Sequence, residues 1–163
     1  MAERFTFFWS GPFSQWHPCR FVVDGVTYNC AEQFMMAEKA RLFRDVEAER
    51  RIMAATKPNE QKSAGRRVRG FSDELWLARA KDIVYRGNWA KFSQNPKLYS
   101  RLMATQETTL VEASPLDSLW GIGLAETDPN AQDRASWMGQ NWLGEILTQV
   151  REDLAREGAA PRS

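Results

Sequence analysis

The pattern of apolar and polar residues changes after Tyr28, from short strand-like runs to longer segments with the period of an amphipathic helix. Capping residues, prolines and glycines mark where each helical segment begins and ends. In the first segment Asn29 is a candidate N-cap with Glu32 three residues later, which is the spacing of a capping box. The sequence predicts about six helices, at residues 29–43, 45–56, 58–65, 72–92, 95–105 and 141–158.

The residues before the first helix predict one small β element. Arg20–Val23 and Val26–Tyr28 are rich in β-branched and aromatic residues, and Asp24-Gly25 between them is a strong signal for a tight hairpin turn. Residues 5–19 mix aromatic residues with glycine and proline, and we expect them to be irregular. The fold class that follows is mainly α, a single compact helical domain with a small N-terminal β-hairpin.

The length and the charge of the chain restrict the domain organisation and the partners. The 163 residues suit one domain, which we expect to span residues 1–163, with a core over about residues 5–154 and a frayed tail at 155–163. The apolar fraction of 43% is sufficient for a sizeable core. The formal net charge of +1 argues against a protein that coats DNA or RNA, but it is compatible with an enzyme that handles one nucleotide.

Several other classes of protein are disfavoured by the composition. The sequence contains no run of about 20 apolar residues and begins with no convincing signal peptide, so we expect no membrane association. Cys19 and Cys30 do not make a disulfide framework, which favours a cytoplasmic protein with reduced, non-catalytic thiols. His17 is the one histidine, so no two-histidine zinc site is expected.

The first predicted helix carries the most informative pattern. At 100° per residue, Glu32, Met36, Lys39 and Phe43 fall within one narrow stripe, so a carboxylate and an amine share a face with two large apolar side chains. In one interpretation Glu32 only completes the capping box and Lys39 lies along the surface. In the other, both point into a partly apolar cleft, where burial raises the pKa of the carboxyl and lowers the pKa of the amine. That arrangement suits acid/base or Schiff-base chemistry.

A second stretch places a carboxylate and a ring beside glycines. Asp117 lies three residues before Trp120, and both precede Gly121-Ile122-Gly123. One interpretation is a helix N-terminus capped by Ser114. The other is a glycine-shaped loop that presents the carboxylate and the ring to a ligand, although a lone Gly-x-Gly is weak evidence for phosphate binding.

Two further segments have both a structural and a functional interpretation. Ser14-Gln15-Trp16 precedes the predicted hairpin and can either hold a base or sugar or form a small core of its own loop. The basic stretch at residues 62–69 is either a solvated face or a surface that meets a phosphate.

Taken together, these segments form an ordered set of motifs that resembles the NADAR family, also called YbiA-like. The resemblance covers about residues 5–154. The motifs, in chain order, are Ser14-Gln15-Trp16, Asp24-Gly25-Val26-Thr27-Tyr28, Ala31-Glu32-Gln33-Phe34 with Lys39, Gly65-Arg66 before Trp76, Lys91-Phe92 with Gln94-Asn95, Leu110-Val111-Glu112-Ala113-Ser114 with Asp117 and Trp120-Gly121, and Gly139-Gln140-Asn141-Trp142-Leu143-Gly144.

The resemblance implies a YbiA-like fold and N-glycosidase activity, without cofactor or metal. The implied substrates are either phosphoribosyl-amino-pyrimidine intermediates of riboflavin synthesis or ADP-ribose attached to guanine in nucleic acid, and no obligate protein partner is expected. Glu32, Lys39 and Asp117 match the family's catalytic positions. The residues implied to bind substrate are Ser14, Gln15, Trp16, Gln33, Arg66, Trp76, Trp120, Gly121 and Asn141.

The sequence departs from the family's pattern at positions that bear on the substrate. Gln33 stands where many members have histidine, so the proton transfers would fall on Glu32 and Asp117. Gln15 replaces a common asparagine, and Thr105-Gln106 replaces a Thr-Gly pair. The alternative function is a non-catalytic module that binds ADP-ribose or a nucleotide with the same tryptophans. A helical interaction protein, in which the polar residues only cap helices, is a third possibility.

Overall fold

A computed structural model describes residues 2–158 of the chain. These residues group into two compact units, one formed by the residues up to Ser14 and from Pro96 onward, and the other by Gln15–Asn95. The helices are α1 Ala31–Leu42, α2 Val46–Ala54, α3 Pro58–Arg66, α4 Asp73–Ser93, α5 Pro96–Met103 and α6 Trp142–Glu157. The strands are β1 Phe5–Phe8, β2 Phe21–Val23, β3 Val26–Tyr28 and β4 Thr109–Glu112. The mainly α class agrees with this element order, and the single domain over residues 1–163 stays a prediction.

In the unit formed by Gln15–Asn95, α1 is the central element and packs against α2, α3 and α4. Two glycines allow this close packing. A Cβ at Gly65 of α3 would lie 2.0 Å from Met36 Sδ, and a Cβ at Gly87 of α4 would lie 2.6 Å from Phe34 Cδ1. The predicted hairpin is confirmed, because β2 and β3 are antiparallel with Asp24 and Gly25 at the turn.

The start of α1 differs from the prediction. Cys30, not Asn29, is the N-cap, and its side chain makes no capping hydrogen bond. The carboxamide of Gln33 accepts the Asn29 N–H at 2.8 Å, so Gln33 makes the reciprocal bond that the sequence assigned to Glu32. The capping-box interpretation of Glu32 is therefore wrong, and its carboxylate is available for other contacts. Ser72 is confirmed as the N-cap of α4, since its side chain accepts the Leu75 N–H. Asp45, where the second helix was predicted to begin, is the N-cap of α2 and accepts the Ala48 N–H.

In the other unit, β1 and β4 form a parallel two-stranded sheet that the sequence analysis missed, with Phe5 opposite Thr109. Helix α6 packs against β4, and a Cβ at Gly144 would lie 2.1 Å from the Leu110 carbonyl oxygen, so this contact requires glycine. The helix ends at Glu157, with Gly158 in the left-handed conformation. The beginning of the tail predicted to fray is thus helical, and residues 159–163 lie outside the described residues.

Candidate functional site

The carboxylate of Glu32 is buried near the N-terminus of α1 and is held by the loop that precedes the hairpin. The side chain is 4% exposed. Its backbone N–H donates to the Gln15 carbonyl oxygen at 2.9 Å, which caps the helix from a residue outside it. Its carboxylate accepts a hydrogen bond from the indole of Trp16. The Ser-Gln-Trp loop therefore fixes both the backbone and the side chain of Glu32.

Burial raises the pKa of Glu32 from 4.5 to about 7, because the charged form loses its hydration. Four neighbouring residues lower the pKa of Glu32: Lys62 through its charge, Trp16 through its hydrogen bond, and Lys39 and Arg66 through their charges. Burial is the dominant cause. Glu32 is therefore a carboxyl group that changes its protonation state near neutral pH, as the second interpretation of the α1 stripe requires.

The amine of Lys39 lies two turns further along α1 and is partly surrounded by aromatic rings. Its Nζ is 4.7 Å from the ring centroid of Phe71 and 5.6 Å from that of Trp76. Burial lowers the pKa of Lys39, and the Arg66 charge lowers it further, whereas the carboxylates of Glu32 and Asp73 raise it. The charges of Glu32 and Lys39 each affect the pKa of the other, which agrees with the shared helix face predicted from the sequence.

Two basic residues of α3 complete this environment. Lys62 Nζ lies 5.8 Å from the ring centroid of Trp16, and Arg66 is exposed one turn later. Both favour the charged form of Glu32. Lys62 was noticed only as part of a basic stretch, although its spacing of four residues from Arg66 places the two on one helix face. Phe71, which follows α3 in a loop, carried no signal in the sequence.

Gln33 makes contacts that stabilise the fold. Its Nε2 donates to the carbonyl oxygens of Ile52 at 3.2 Å and Ala55 at 3.4 Å, and its Oε1 accepts the Asn29 N–H. The side chain is 3% exposed, so it ties the end of α2 to the start of α1. A role for Gln33 in substrate binding stays a prediction, made from the resemblance alone.

Asp117 lies in a turn of the other unit. Its Oδ1 accepts the backbone N–H groups of Leu119 at 2.9 Å and Trp120 at 2.8 Å. The segment contains no helix, so the helix N-terminus considered for Ser114 and Asp117 is wrong. The loop interpretation agrees with the geometry. Gly121 packs tightly here, since a Cβ would lie 3.0 Å from the carbonyl oxygens of Asp117 and Glu112.

Three other candidate site residues of this unit, Trp120, Asn141 and Ser14, contact its backbone or its aromatic rings. The ring of Trp120 packs edge-on against Trp142 at 5.6 Å. Asn141 is fully buried, and its side chain bonds to the backbone of Glu112 and Leu110 at 2.9 and 3.0 Å, as expected of a residue that holds the sheet. The Ser14 N–H donates to the Gly11 carbonyl oxygen.

The structure thus brings Gln15, Trp16, Glu32, Lys39, Arg66 and Trp76 together in one unit. Ser14, Asp117, Trp120, Gly121 and Asn141 belong to the other. That all of these residues line one cleft stays a prediction.

The two thiols are poor nucleophiles. Burial raises the pKa of Cys30 to about 11, and its Sγ donates to the Gln61 carboxamide at 3.1 Å. Burial also raises the pKa of Cys19, with the charge of Lys91 acting in the opposite direction. Thiolate is the reactive form, so both shifts favour the predicted non-catalytic role.

Among residues 2–158, no three His, Cys, Asp or Glu side chains are grouped so that they could hold a metal ion. None of the helices in this part of the chain is long and apolar enough to cross a membrane.

Comparisons with known proteins agree on one family. A sequence profile described as "NADAR domain" matches residues 7–155. The chain is 44% identical over 146 residues to N-glycosidase R617 of Acanthamoeba polyphaga mimivirus, which covers 86% of each protein. It is 35% identical over 116 residues to the chloroplastic riboflavin biosynthesis protein PYRR of Zea mays, covering 69% of this chain and 16% of that protein. The NMR structure of the E. coli protein YbiA has a TM-score of 0.79 at 27% identity and covers 100% of this chain and 92% of that one.

Proposed function

The chain belongs to the NADAR domain family, and from this premise we propose that it is an N-glycosidase that hydrolyses the bond between a ribose carbon and a nitrogen. The observation that carries the proposal is the buried Glu32, which accepts a hydrogen bond from Trp16, has a pKa raised to about 7 and shares a helix with the partly buried amine of Lys39. Two names among the relatives support the class of activity and of substrate, N-glycosidase R617 and riboflavin biosynthesis protein PYRR. The substrate is either an ADP-ribosyl guanine in nucleic acid or a phosphoribosyl-amino-pyrimidine.

Glu32 has the properties of the group that supports cleavage at the sugar carbon. When the C1′–N bond breaks, the electron pair leaves with the nitrogen and positive charge develops at C1′ and the ring oxygen. A carboxylate beside this carbon stabilises the charge and accepts a proton from the attacking water. A pKa of about 7 is efficient for this role, because the carboxylate is available near neutral pH and remains basic enough to accept the proton.

Lys39 has two possible roles. As a nucleophile, its neutral amine attacks C1′ as the base leaves, and opening of the sugar ring gives an iminium. Water then adds to that iminium carbon and releases the sugar and the amine. As a charged group, it only binds a substrate anion or orients Glu32. The lowered pKa of Lys39 increases the fraction of neutral amine and supports the first role.

The surroundings of Glu32 suit a substrate that carries phosphate and a flat ring. Lys62 and Arg66 supply positive charge for phosphate groups. The Trp16 side chain is 42% exposed, so a base can stack on its ring, an interaction worth about 1–3 kcal/mol. From the family resemblance we assign Asp117 to the protonation or hydrogen bonding of the leaving base.

The proposal is tested by offering both substrates to the purified protein and measuring released base by chromatography. We expect release from one of them by the wild type and at least a 100-fold slower release by Glu32→Gln. The matched control is Glu38→Gln on the same helix, because Glu38 pairs with Arg41 and Arg86 at its surface. Binding of ADP-ribose without release of base from either substrate would favour the non-catalytic module.

The role of Lys39 is tested separately by adding borohydride during turnover, which reduces an iminium to a stable amine. We expect a protein–sugar adduct in the wild type and in Lys97→Ala, an exposed lysine of α5, and none in Lys39→Ala. An active wild type that gives no adduct would leave Lys39 with a binding role.

A further inference from the structure

Asn88 of α4 is fully buried and is linked to the loop that holds Glu32. Its Nδ2 donates to the Val84 carbonyl oxygen and to the Gln15 Oε1, both at 2.9 Å. The Val84 carbonyl can only accept, so it fixes which side of the carboxamide carries the nitrogen. Asn88 is therefore oriented by its own helix to hold Gln15.

The Oδ1 atom of the same carboxamide makes no comparable contact. Among residues 2–158, Asn88 Oδ1 has no hydrogen-bond partner. Burial of an acceptor without a donor destabilises the folded state, whereas an apolar side chain of similar size avoids that cost. Stability alone thus gives no reason for asparagine at this position. The contact that an apolar residue cannot make is the bond to Gln15.

Gln15, which Asn88 holds through its side chain, also contacts Glu32 through its backbone. Its carbonyl oxygen accepts the Glu32 N–H at 2.9 Å, and the next residue, Trp16, donates to the Glu32 carboxylate. A side chain that fixes Gln15 also restricts where the Trp16 indole can lie. Other residues face the carboxylate as well: Lys39 and Cys30 from α1 and its cap, and Lys62 and Arg66 from α3.

We propose that Asn88 is a positioning residue that holds the Gln15–Trp16 loop in register with Glu32. Its side chain acts through Gln15 and does not itself contact the reacting atoms. The effect on turnover rests on the proposed N-glycosidase function, but the geometric claim does not.

The geometric claim is tested by the NMR signal of the Trp16 indole N–H, assigned with Trp16→Phe. In the wild type we expect this signal to shift with pH around 7, because the indole donates to the carboxylate of Glu32, whose pKa is raised to about 7. We expect Asn88→Leu to remove most of that shift. The matched control is Asn95→Ala, which loses the same kind of bonds, from Nδ2 to the Lys91 and Arg20 carbonyl oxygens at 2.7 and 3.0 Å, and should keep the shift.

Gln15→Ala provides a second variant that removes the bond from the loop side without changing the core. It should also reduce the indole shift, and the double variant should behave like either single variant, because both remove one interaction. An indole that titrates as in the wild type in Gln15→Ala, or in a folded Asn88→Leu, would overturn the proposal.

Turnover distinguishes this proposal from the proposed function. For an active wild type, we expect Asn88→Leu to lower kcat at least 10-fold with a smaller change in KM, and Asn95→Ala to leave kcat unchanged. If the wild type releases no base but Asn88→Leu still loses the indole shift, the N-glycosidase proposal fails and the positioning proposal stands. An unchanged kcat in Asn88→Leu contradicts the positioning role for catalysis.

Discussion

Replacement of Glu32 by glutamine should make the folded protein more stable at neutral pH. The side chain is buried, and its pKa rises from 4.5 to about 7 mainly through loss of hydration, so the folded state prefers the protonated form. Glutamine is neutral and similar in shape to the protonated acid. The variant therefore avoids the cost of burying a charge at pH 8 and gains nothing at low pH.

The size of the effect follows from the shift in pKa. A group whose pKa is raised in the folded state contributes stability that is fully present below the unfolded pKa and is lost as pH rises through the folded pKa. For Glu32 the window is pH 4.5 to 7, and a shift of this size corresponds to about 3 kcal/mol. The free energy of unfolding of Glu32→Gln should thus exceed that of the wild type by about 3 kcal/mol at pH 8, and the two should nearly coincide near pH 4.5.

The measurement is urea unfolding of both proteins at several pH values, analysed as the difference between them, so that other titrating groups largely cancel. Glu38→Gln serves as the control, because it makes the same change of residue type on the same helix at a partly exposed side chain that is paired with Arg41 and Arg86. If the difference in the free energy of unfolding between Glu32→Gln and the wild type does not change with pH, burial does not raise the pKa of Glu32 as described. A variant less stable than the wild type at pH 8 would contradict it as well.

Two further substitutions test the packing and another buried ionisable group of the same unit. Gly65→Ala should lower the free energy of unfolding by about 1–3 kcal/mol, because its Cβ would lie 2.0 Å from Met36 Sδ. In thermal unfolding, adding Met36→Ala should make the Gly65→Ala change cost less, and equal costs in both backgrounds would contradict this. Burial lowers the pKa of Lys91 from 10.5 to about 8, so the stability of the wild type should rise relative to Lys91→Met between pH 8 and 10.5. Urea unfolding at both ends of that range measures the rise, and a constant difference would contradict it.

Local patterns predicted most of the fold, because they depend on neighbouring residues. The Asp24-Gly25 turn, the start of α2 at Asp45 and the cap of α4 at Ser72 are each determined within a few residues, and each was found where expected. The pairing of β1 with β4 was missed because the two strands are four residues long and about a hundred residues apart in sequence. No local period signals such a contact. The cap of α1 was misassigned because Gln33, one residue after Glu32, makes the reciprocal bond.

The sequence predicted the part of the candidate site whose charged side chains lie on one helix. The stripe of Glu32 and Lys39 follows from helical geometry, and the charge of each group affects the pKa of the other. The contributions of Lys62 and Asn88 depend on how α3 and α4 pack against α1. The sequence does not give that packing, so neither residue was selected from it.

We propose Glu32 as the catalytic carboxylate of an N-glycosidase, and its protonation state should control the rate of base release. The most direct measurement is the rate of base release from the two candidate substrates between pH 5.5 and 8.5, for the wild type and Glu32→Gln. For the substrate that is cleaved, kcat/KM should rise with pH and level off above about pH 7, as the carboxylate of Glu32 forms, and Glu32→Gln should lose the activity at every pH. A wild type that releases no base from either substrate, or a Glu32→Gln variant that keeps the wild-type rate, would contradict the claim.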